Sequence, residues 1–152
     1  MKIAVDDLSG PETAAFLAEH VREMRSITPP ESKHALDLDG LRRYDVTFWS
    51  ARDEDDALVG CGALKWLDEE HAEVKSMRTA PDRTRSGVAS FVLTHLIEEA
   101  RRMGYRRLSL ETGAAEFFAP ARALYAKFGF EPCEPFADYK PDPLSVFMTR
   151  SL

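Results

Sequence analysis

The sequence predicts an α/β protein of the α+β kind: a mixed, mostly antiparallel sheet of about six to seven strands flanked by about four helices. Three observations predict it. Residues 46–79 hold three strand-like runs joined by short acidic turns, which reads as an antiparallel meander. Residues 86–103 carry the clearest 3.6-residue apolar period in the chain, that of a long amphipathic helix. A further strand, a helix and two late strand-like runs follow it.

The bulk properties fit that class. A chain of 152 residues is most simply one domain, 1–152, large enough to bury roughly 70% of its unfolded surface. With 44% hydrophobic and 30% charged residues it has a globular rather than a disordered composition. No apolar run approaches the ~20 residues of a membrane span. Acids follow the N-terminal Met1 almost at once, unlike a signal peptide, so a cytoplasmic location is expected. Cys61 and Cys133 lack CxxC spacing and read as reduced thiols, and no residue set has metal-ligand spacing. The net charge of −6 argues against nucleic acid. It is unevenly spread: Lys75 to Arg107 holds eight Lys/Arg against three Asp/Glu. A basic middle in an acidic protein suits a small polyanion held at one place.

Residues 2–5 read as a strand. Ser9 and Glu12 form a candidate capping box, behind which Ala14, Leu17, Val21 and Met24 recur at helical spacing to about Ser26. Pro29 and Pro30 end this helix, the polar segment Glu31–Asp39 follows, and a short helix is expected around Leu38–Arg43. Val46–Ala51, Leu58–Leu67 and Ala72–Thr79 are the meander strands. Gly60 and Gly62 inside the second of these suggest a bulge or a close backbone approach. The long helix, Ser86–Met103, is expected to line one face with Ala89, Val92, Leu93, Leu96, Ile97, Ala100 and Met103, and Gly104 is its stop. Arg106–Thr112 alternates as a fifth strand. A last helix starts near Pro120, with Phe117, Ala121, Leu124 and Phe128 as its buried stripe and Gly129 at its end. Pro135–Phe136 and Ser145–Thr149 supply the late strands.

Between the fourth strand and the long helix lies Met77-Arg78-Thr79-Ala80-Pro81-Asp82-Arg83-Thr84-Arg85-Ser86-Gly87-Val88-Ala89. A strand-to-helix turn leaves backbone N–H groups unpaired at a helix N-terminus, where they can hold phosphate oxygens, and the arginines add charge of the right sign. No GxGxxG or GxxxxGK[ST] occurs, so dinucleotide and NTP binding find no support.

The element order, together with three segments, resembles the GNAT superfamily of N-acetyltransferases over nearly the whole chain. Thr84-Arg85-Ser86-Gly87-Val88-Ala89 is similar to that family's Q/R-x-x-G-x-G/A turn, with Thr84 where Arg or Gln is usual. Ala123-Leu124-Tyr125-Ala126-Lys127-Phe128-Gly129-Phe130 resembles its A-x-x-L-Y-x-x-x-G-F segment, and Gly104–Thr112 resembles its fifth strand. The resemblance implies a sheet splayed between strands four and five and acetyl-CoA (coenzyme A), or another acyl-CoA, as donor. The pyrophosphate would sit on the N–H groups of Arg85 to Ala89, with Arg83 and Arg85 beside it. The pantetheine would lie along the strand edge at Met77, Arg78 and Thr79. A small-molecule amine is the expected acceptor, and with the net charge and the absence of a long apolar run no nucleic acid or membrane partner is expected. Such folds are commonly dimeric, which leaves a homodimer open.

Acyl transfer to an amine needs the amine positioned, a proton removed from it and a proton returned to the leaving thiolate. Tyr125 is the candidate acid on the family motif; its bland alternative is a core aromatic. Glu73 is the candidate base, directly or through water, and by period two it shares a face with Lys75 and Met77; a charge pair with Lys75 is the alternative. Glu111 and His34 are rival bases. Lys75 and Arg78 could steer an anionic acceptor group, and Phe118 and Tyr139 are further acceptor-side candidates. Phe117, Trp49 and Trp66 are wall or core residues. His71 and His95 are expected to face solvent and Cys61 to pack in the core. Two other functions remain open at this level: a non-catalytic acyl-CoA-binding domain, and an acetyltransferase acting on protein or peptide amines.

Overall fold

The computed structural model describes residues 1–27 and 38–152. His34, Pro29, Pro30 and most of the expected Glu31–Asp39 segment lie outside the described residues. Seven strands, β1 (Lys2–Val5), β2 (Val46–Arg52), β3 (Leu58–Asp68), β4 (His71–Thr79), β5 (Arg107–Gly113), β6 (Glu131–Pro132) and β7 (Ser145–Ser151), form one sheet in the order β1-β2-β3-β4-β5-β7-β6. Helices α1 (Pro11–Ile27), α2 (Leu38–Leu41), α3 (Val88–Arg102) and α4 (Ala119–Lys127) accompany it.

Every neighbouring pair is antiparallel except β4 and β5, which run parallel. A parallel pair needs a crossover, and α3 supplies it. The parallel ladder is short. It joins His71, Ala72 and Glu73 to Arg107, Leu108 and Ser109 and then stops. Beyond that point β4 stays paired to β3, and β5 stays paired to β7 as far as Gly113 and Ser145. The two strands therefore diverge with their facing edges open, as the sequence resemblance implied.

The core lies mainly between the sheet and α3, whose Val88, Val92, Leu93, Leu96, Ile97 and Ala100 are buried with Trp49, Val74, Leu108 and Leu110. Gly60 and Gly62 allow this approach: a Cβ on Gly60 would lie 2.5 Å from Val88 Cγ1 and 3.2 Å from the Arg78 carbonyl, and one on Gly62 would lie 2.9 Å from Leu96 Cδ1. A smaller core on the other face joins Leu8, Leu17, Leu41, Phe48, Cys61 and Ala63 under α1 and α2.

A bulge in β4 decides which of these faces each of its residues meets. The β3–β4 register shifts between Cys61 and Ala63, and Ser76 takes a positive φ of 55°. Glu73 and Lys75 oppose Lys65 and Ala63 on the α1 side. The extra residue then turns Met77 into the core under α3, with its Sδ at the α3 face of Gly62, while Arg78 opposes Cys61 on the α1 side. The expectation that Met77 shares a face with Glu73 and Lys75 is corrected here, because period two holds only in an unbulged strand.

Other expectations are also corrected. Ser9 does not cap α1: the helix starts at Pro11, and the Ser9 hydroxyl donates to Asp7 at 2.6 Å. Pro at the first helical position needs no N–H, which sets that start. The buried stripe of α1 is Thr13, Leu17 and His20, rotated from the expected one. The long helix starts at Val88 rather than Ser86. The sixth strand is Glu131–Pro132, not Pro135–Phe136. Phe117 is 53% exposed, and Tyr125 is the buried residue of α4. His71 and His95 are half-buried rather than fully facing solvent. His71 Nε2 lies 2.6 Å from Ser109 Oγ, and the His95 ring meets Trp49 edge-on at 5.6 Å.

Candidate functional site

The divergence of β4 and β5 opens a cleft of about 690 Å³ whose walls are β4, β5, α1, α4 and the turn before α3. At its mouth the chain leaves β4 through a 3-10 turn, Pro81–Arg83. Arg85 (φ 63°) and Gly87 (φ 90°) then take left-handed conformations. Alternation of hand turns successive N–H groups to one side, a nest for anions. Gly87 is the N-cap of α3 and supplies no side-chain cap. Among the described residues, no acceptor meets the N–H groups of Arg85, Gly87, Val88, Ala89 and Ser90. These donors fit a pyrophosphate.

Within this segment the expected cradle residues divide. Arg83, Thr84, Arg85, Gly87, Val88 and Ala89 line the cleft, and Ser90, which the sequence reading missed, joins them. Ser86 does not line it: its N–H and its hydroxyl both donate to the Arg83 carbonyl. The Arg83 guanidinium is held by Asp53 at 2.6 Å, whereas Arg85 makes no ion pair among the described residues. Met77 and Thr79 line the cleft along the open edge of β4.

Deeper in, Tyr125 lines the cleft from α4 while its ring packs edge-on against Phe130. Burial, with the negative charge of Glu111 behind it, pushes the phenol up to about 12, so it stays protonated at neutral pH. Tyr125 is thus a core aromatic that also lines the cleft. Phe118 lies against Gly113 and also lines the cleft.

On the α1 side, Glu73 and Lys75 are both buried and meet at 3.2 Å through Glu73 Oε2. Tyr139 joins them from the loop before β7, accepting from Lys75 Nζ at 2.8 Å. Burial and the Glu73 charge drive the Tyr139 phenol far above its ordinary range. Its ring stacks edge-on with Phe136 and tilts against Phe147. Tyr139 thus supports the floor, while Glu73 and Lys75 line the cleft.

Glu111, two residues beyond the end of the parallel ladder, opposes Phe147 and lines the same cleft. Burial raises its carboxyl from the ordinary 4.5 to about 7, only partly offset by Ser145 and Lys75. Cys61 sits in the core as expected, its thiol pushed up to about 12 by burial.

The third wall was the least legible. Arg78 reaches from β4 to α1, where its Nη1 lies 3.3 Å from Glu23 Oε1 and its guanidinium carbon lies 5.1 Å from the Phe16 ring centre. His20, Glu23 and Met24 of α1 line the cleft beside it. The signal was the spacing of Phe16, His20, Glu23 and Met24 at i, i+4, i+7 and i+8, a face that a search for apolar residues alone passes over.

Comparison with known proteins agrees with this geometry. The model of the Acetyltransferase (GNAT) family matches residues 13–130. The chain is 57% identical to the uncharacterized N-acetyltransferase YsnE of Bacillus subtilis (strain 168), covering 100% of both chains. It is 50% identical to the uncharacterized N-acetyltransferase YedL of Escherichia coli (strain K12), over 99% of this chain and 94% of that one. Among solved structures, a Klebsiella pneumoniae protein assigned to the acyl-CoA N-acyltransferases superposes with a TM-score of 0.81 at 28% identity, over 99% of this chain and 97% of that one.

Proposed function

Because this chain belongs to the GNAT acetyltransferase family and is an N-acetyltransferase, we propose that it moves an acetyl group from acetyl-CoA to the amine of a small molecule in the cleft between β4 and β5. One observation carries the reading. The β4–β5 ladder ends at Glu73 and Ser109, and the cleft it opens has unpaired N–H groups at its mouth and a titrating carboxyl and a protonated phenol further in.

Bound acetyl-CoA supplies an activated thioester; the chain's residues do the rest. The N–H groups of Arg85 and Gly87 to Ser90 hold the pyrophosphate, with Arg85 the arginine available to it. The open edge of β4 around Met77 and Thr79 aligns the pantetheine. Glu73 and Glu111 form the acidic wall that receives the amine's proton. A base is most effective when its pKa lies near the working pH, which favours Glu111 as the acceptor of that proton. Glu73, the base expected from the sequence, is engaged by Lys75 and Tyr139 and holds the wall in place. As the nitrogen bonds to the acetyl carbon and the carbon–sulfur bond breaks, the Tyr125 hydroxyl donates its proton to the departing sulfur.

The test is thiol release from acetyl-CoA over a library of small amines, peptides and protein lysines, with CoA affinity read separately by calorimetry. Turnover of small amines with CoA binding is the expected result. Binding without turnover of any amine would exclude the transfer proposed here, and turnover of peptides alone would replace the small-molecule acceptor.

A further inference from the structure

Arg78 presents an imbalance that the acetyl transfer itself does not use. Its side chain is 5% exposed, and its one ion-pair partner among the described residues is Glu23 at 3.3 Å, a side chain 38% exposed. A guanidinium carries five N–H donors in a fixed fork. Here Nε is buried and meets no acceptor among the described residues. Two neighbours share the condition: Ser76 Oγ and His20 Nδ1 are buried and unpaired among the described residues. All three residues line the cleft.

Buried polar groups are nearly always hydrogen-bonded, so three orphans lining one cleft call for a common explanation. Their chemistry agrees on one. Arginine donates and carries positive charge, the serine hydroxyl donates, and an imidazole donates through whichever nitrogen holds its proton. Burial and the Arg78 charge bring His20 down to about 4, so it adds no second positive charge at neutral pH but remains a hydrogen-bonding partner. The matching ligand is a planar anion with two acceptor oxygens, which the guanidinium fork meets bidentately.

The position separates this wall from the donor's phosphates. The bulge at Ser76 sends Met77 toward α3 and Arg78 toward α1, away from the helix N-terminus that bears the unpaired N–H groups. It lies instead on the face where Glu73 and Lys75 stand. The other buried cation on that face, Lys75, is already engaged by Glu73 and Tyr139.

We propose that Arg78, with Ser76 and His20, binds a carboxylate of the acceptor, so that the preferred substrates are amines bearing a carboxylate, such as amino acids or other amino carboxylates. This rests on the N-acetyltransferase reading of the same cleft. Arg78 is then a specificity residue that orients the amine toward Glu111 through the far end of the molecule.

The experiment measures acetyl transfer to amino carboxylates and to their carboxamide and methyl ester analogues. It compares the native protein, Arg78→Ala, Arg78→Lys and Ser76→Ala, with CoA affinity by calorimetry and folding by thermal melting. The native protein is expected to favour the carboxylates by about 10-fold or more in kcat/KM. Arg78→Ala should erase that preference, chiefly through a KM for carboxylates raised about 30-fold, and Ser76→Ala should raise it several-fold. Neither should change CoA affinity, and the rates with carboxamides should fall far less than those with carboxylates. Arg78→Lys keeps the charge without the fork and should fall between them. A native preference for uncharged acceptors, or a loss of CoA affinity in folded Arg78→Ala or Arg78→Lys, overturns the assignment while leaving acetyl transfer intact. Absence of transfer to any amine despite CoA binding overturns the underlying reading instead. As a check independent of turnover, an N-acetylated amino carboxylate should shift the His20 ring resonances in the native protein bound to CoA; no shift counts against the assignment.

Discussion

The Tyr139 hydroxyl donates to Glu73 Oε2 at 2.5 Å, the same oxygen that Lys75 Nζ approaches at 3.2 Å. Phenol, carboxylate and ammonium thus converge on one buried point, joining the loop before β7 to β4. Removing one member of a buried pair leaves the other charge poorly solvated, which costs about 3–5 kcal/mol. Glu73→Ala should therefore destabilise by that order in urea titration, while Tyr139→Phe, which removes the hydroxyl bonded to both Glu73 and Lys75 but no charge, should cost about 1–3 kcal/mol. A Glu73→Ala protein as stable as the native chain would show that the pair contributes no net stability.

Glu111 should set the pH dependence. With its carboxyl raised from 4.5 to about 7, kcat/KM should climb with pH through about 7 as the base ionises. Glu111→Gln should lower kcat by about 100-fold and abolish that limb. Stability should run the other way. The folded state holds a proton that the unfolded chain has lost between 4.5 and about 7, so this residue's contribution is complete below 4.5 and fades as pH rises through 7. Chemical denaturation at pH 5 and pH 8 should show this fall in the native protein and a flatter response in Glu111→Gln.

Tyr125→Phe should reduce kcat by about 100-fold with CoA affinity unchanged, since the ring keeps its packing against Phe130 and only the donor is lost. Single-turnover rates with acetyl-CoA separate this from slow product release. An unchanged rate would assign Tyr125 to packing alone.

At the cleft mouth, backbone rather than side chain should dominate. Arg83 is held by Asp53 and is 39% exposed on its side chain, so Arg83→Ala should weaken CoA binding by no more than about threefold. Proline cannot adopt the φ of 90° found at Gly87 and removes an N–H, so Gly87→Pro should weaken it by at least about 30-fold. Calorimetric titration of CoA decides between them, and equal losses would refute the nest.

Gly60→Ala tests the packing of α3 on the sheet. The added methyl meets Val88, a β-branched side chain with little freedom, and the fixed Arg78 carbonyl, so a loss of about 1–3 kcal/mol is expected in thermal or urea unfolding.

Much of this molecule was legible in its sequence because local rules and global fold agree. The apolar period of α3 and the turn at Thr84–Gly87 each have a local physical cause, and with them the element order follows. The open β4–β5 edge is a tertiary fact, and it was reached through the family resemblance. What escaped was whatever depends on one residue's register or on distant packing. The Ser76 bulge reassigns Met77 and Arg78 to opposite faces, and nothing in the composition of β4 announces it. Tyr139 reaches Glu73 across 66 positions, a contact that spacing does not encode. The polar lining of α1 went unread because the helix was read from its apolar positions alone, which pass over His20 and Glu23.

The short parallel ladder has a meaning for cooperativity. The sheet divides at it into two runs, β1 to β4 and β5 to β7, each drawn from a continuous stretch of chain. Among the described residues the ladder between the two runs is only three residue pairs long, supplemented by the helix that crosses between them and by side-chain bonds such as those of Tyr139 to Glu73 and Lys75. Such a seam is where a protein opens below its global unfolding energy. A donor lying along the open edge of β4 would bind only the state in which the two runs are correctly apposed, adding stability in proportion to its saturation. Amide exchange should then slow across both strands of the seam when CoA is added, at residues far from any that touch it, so that the cleft serves as both the place of reaction and the joint of the molecule.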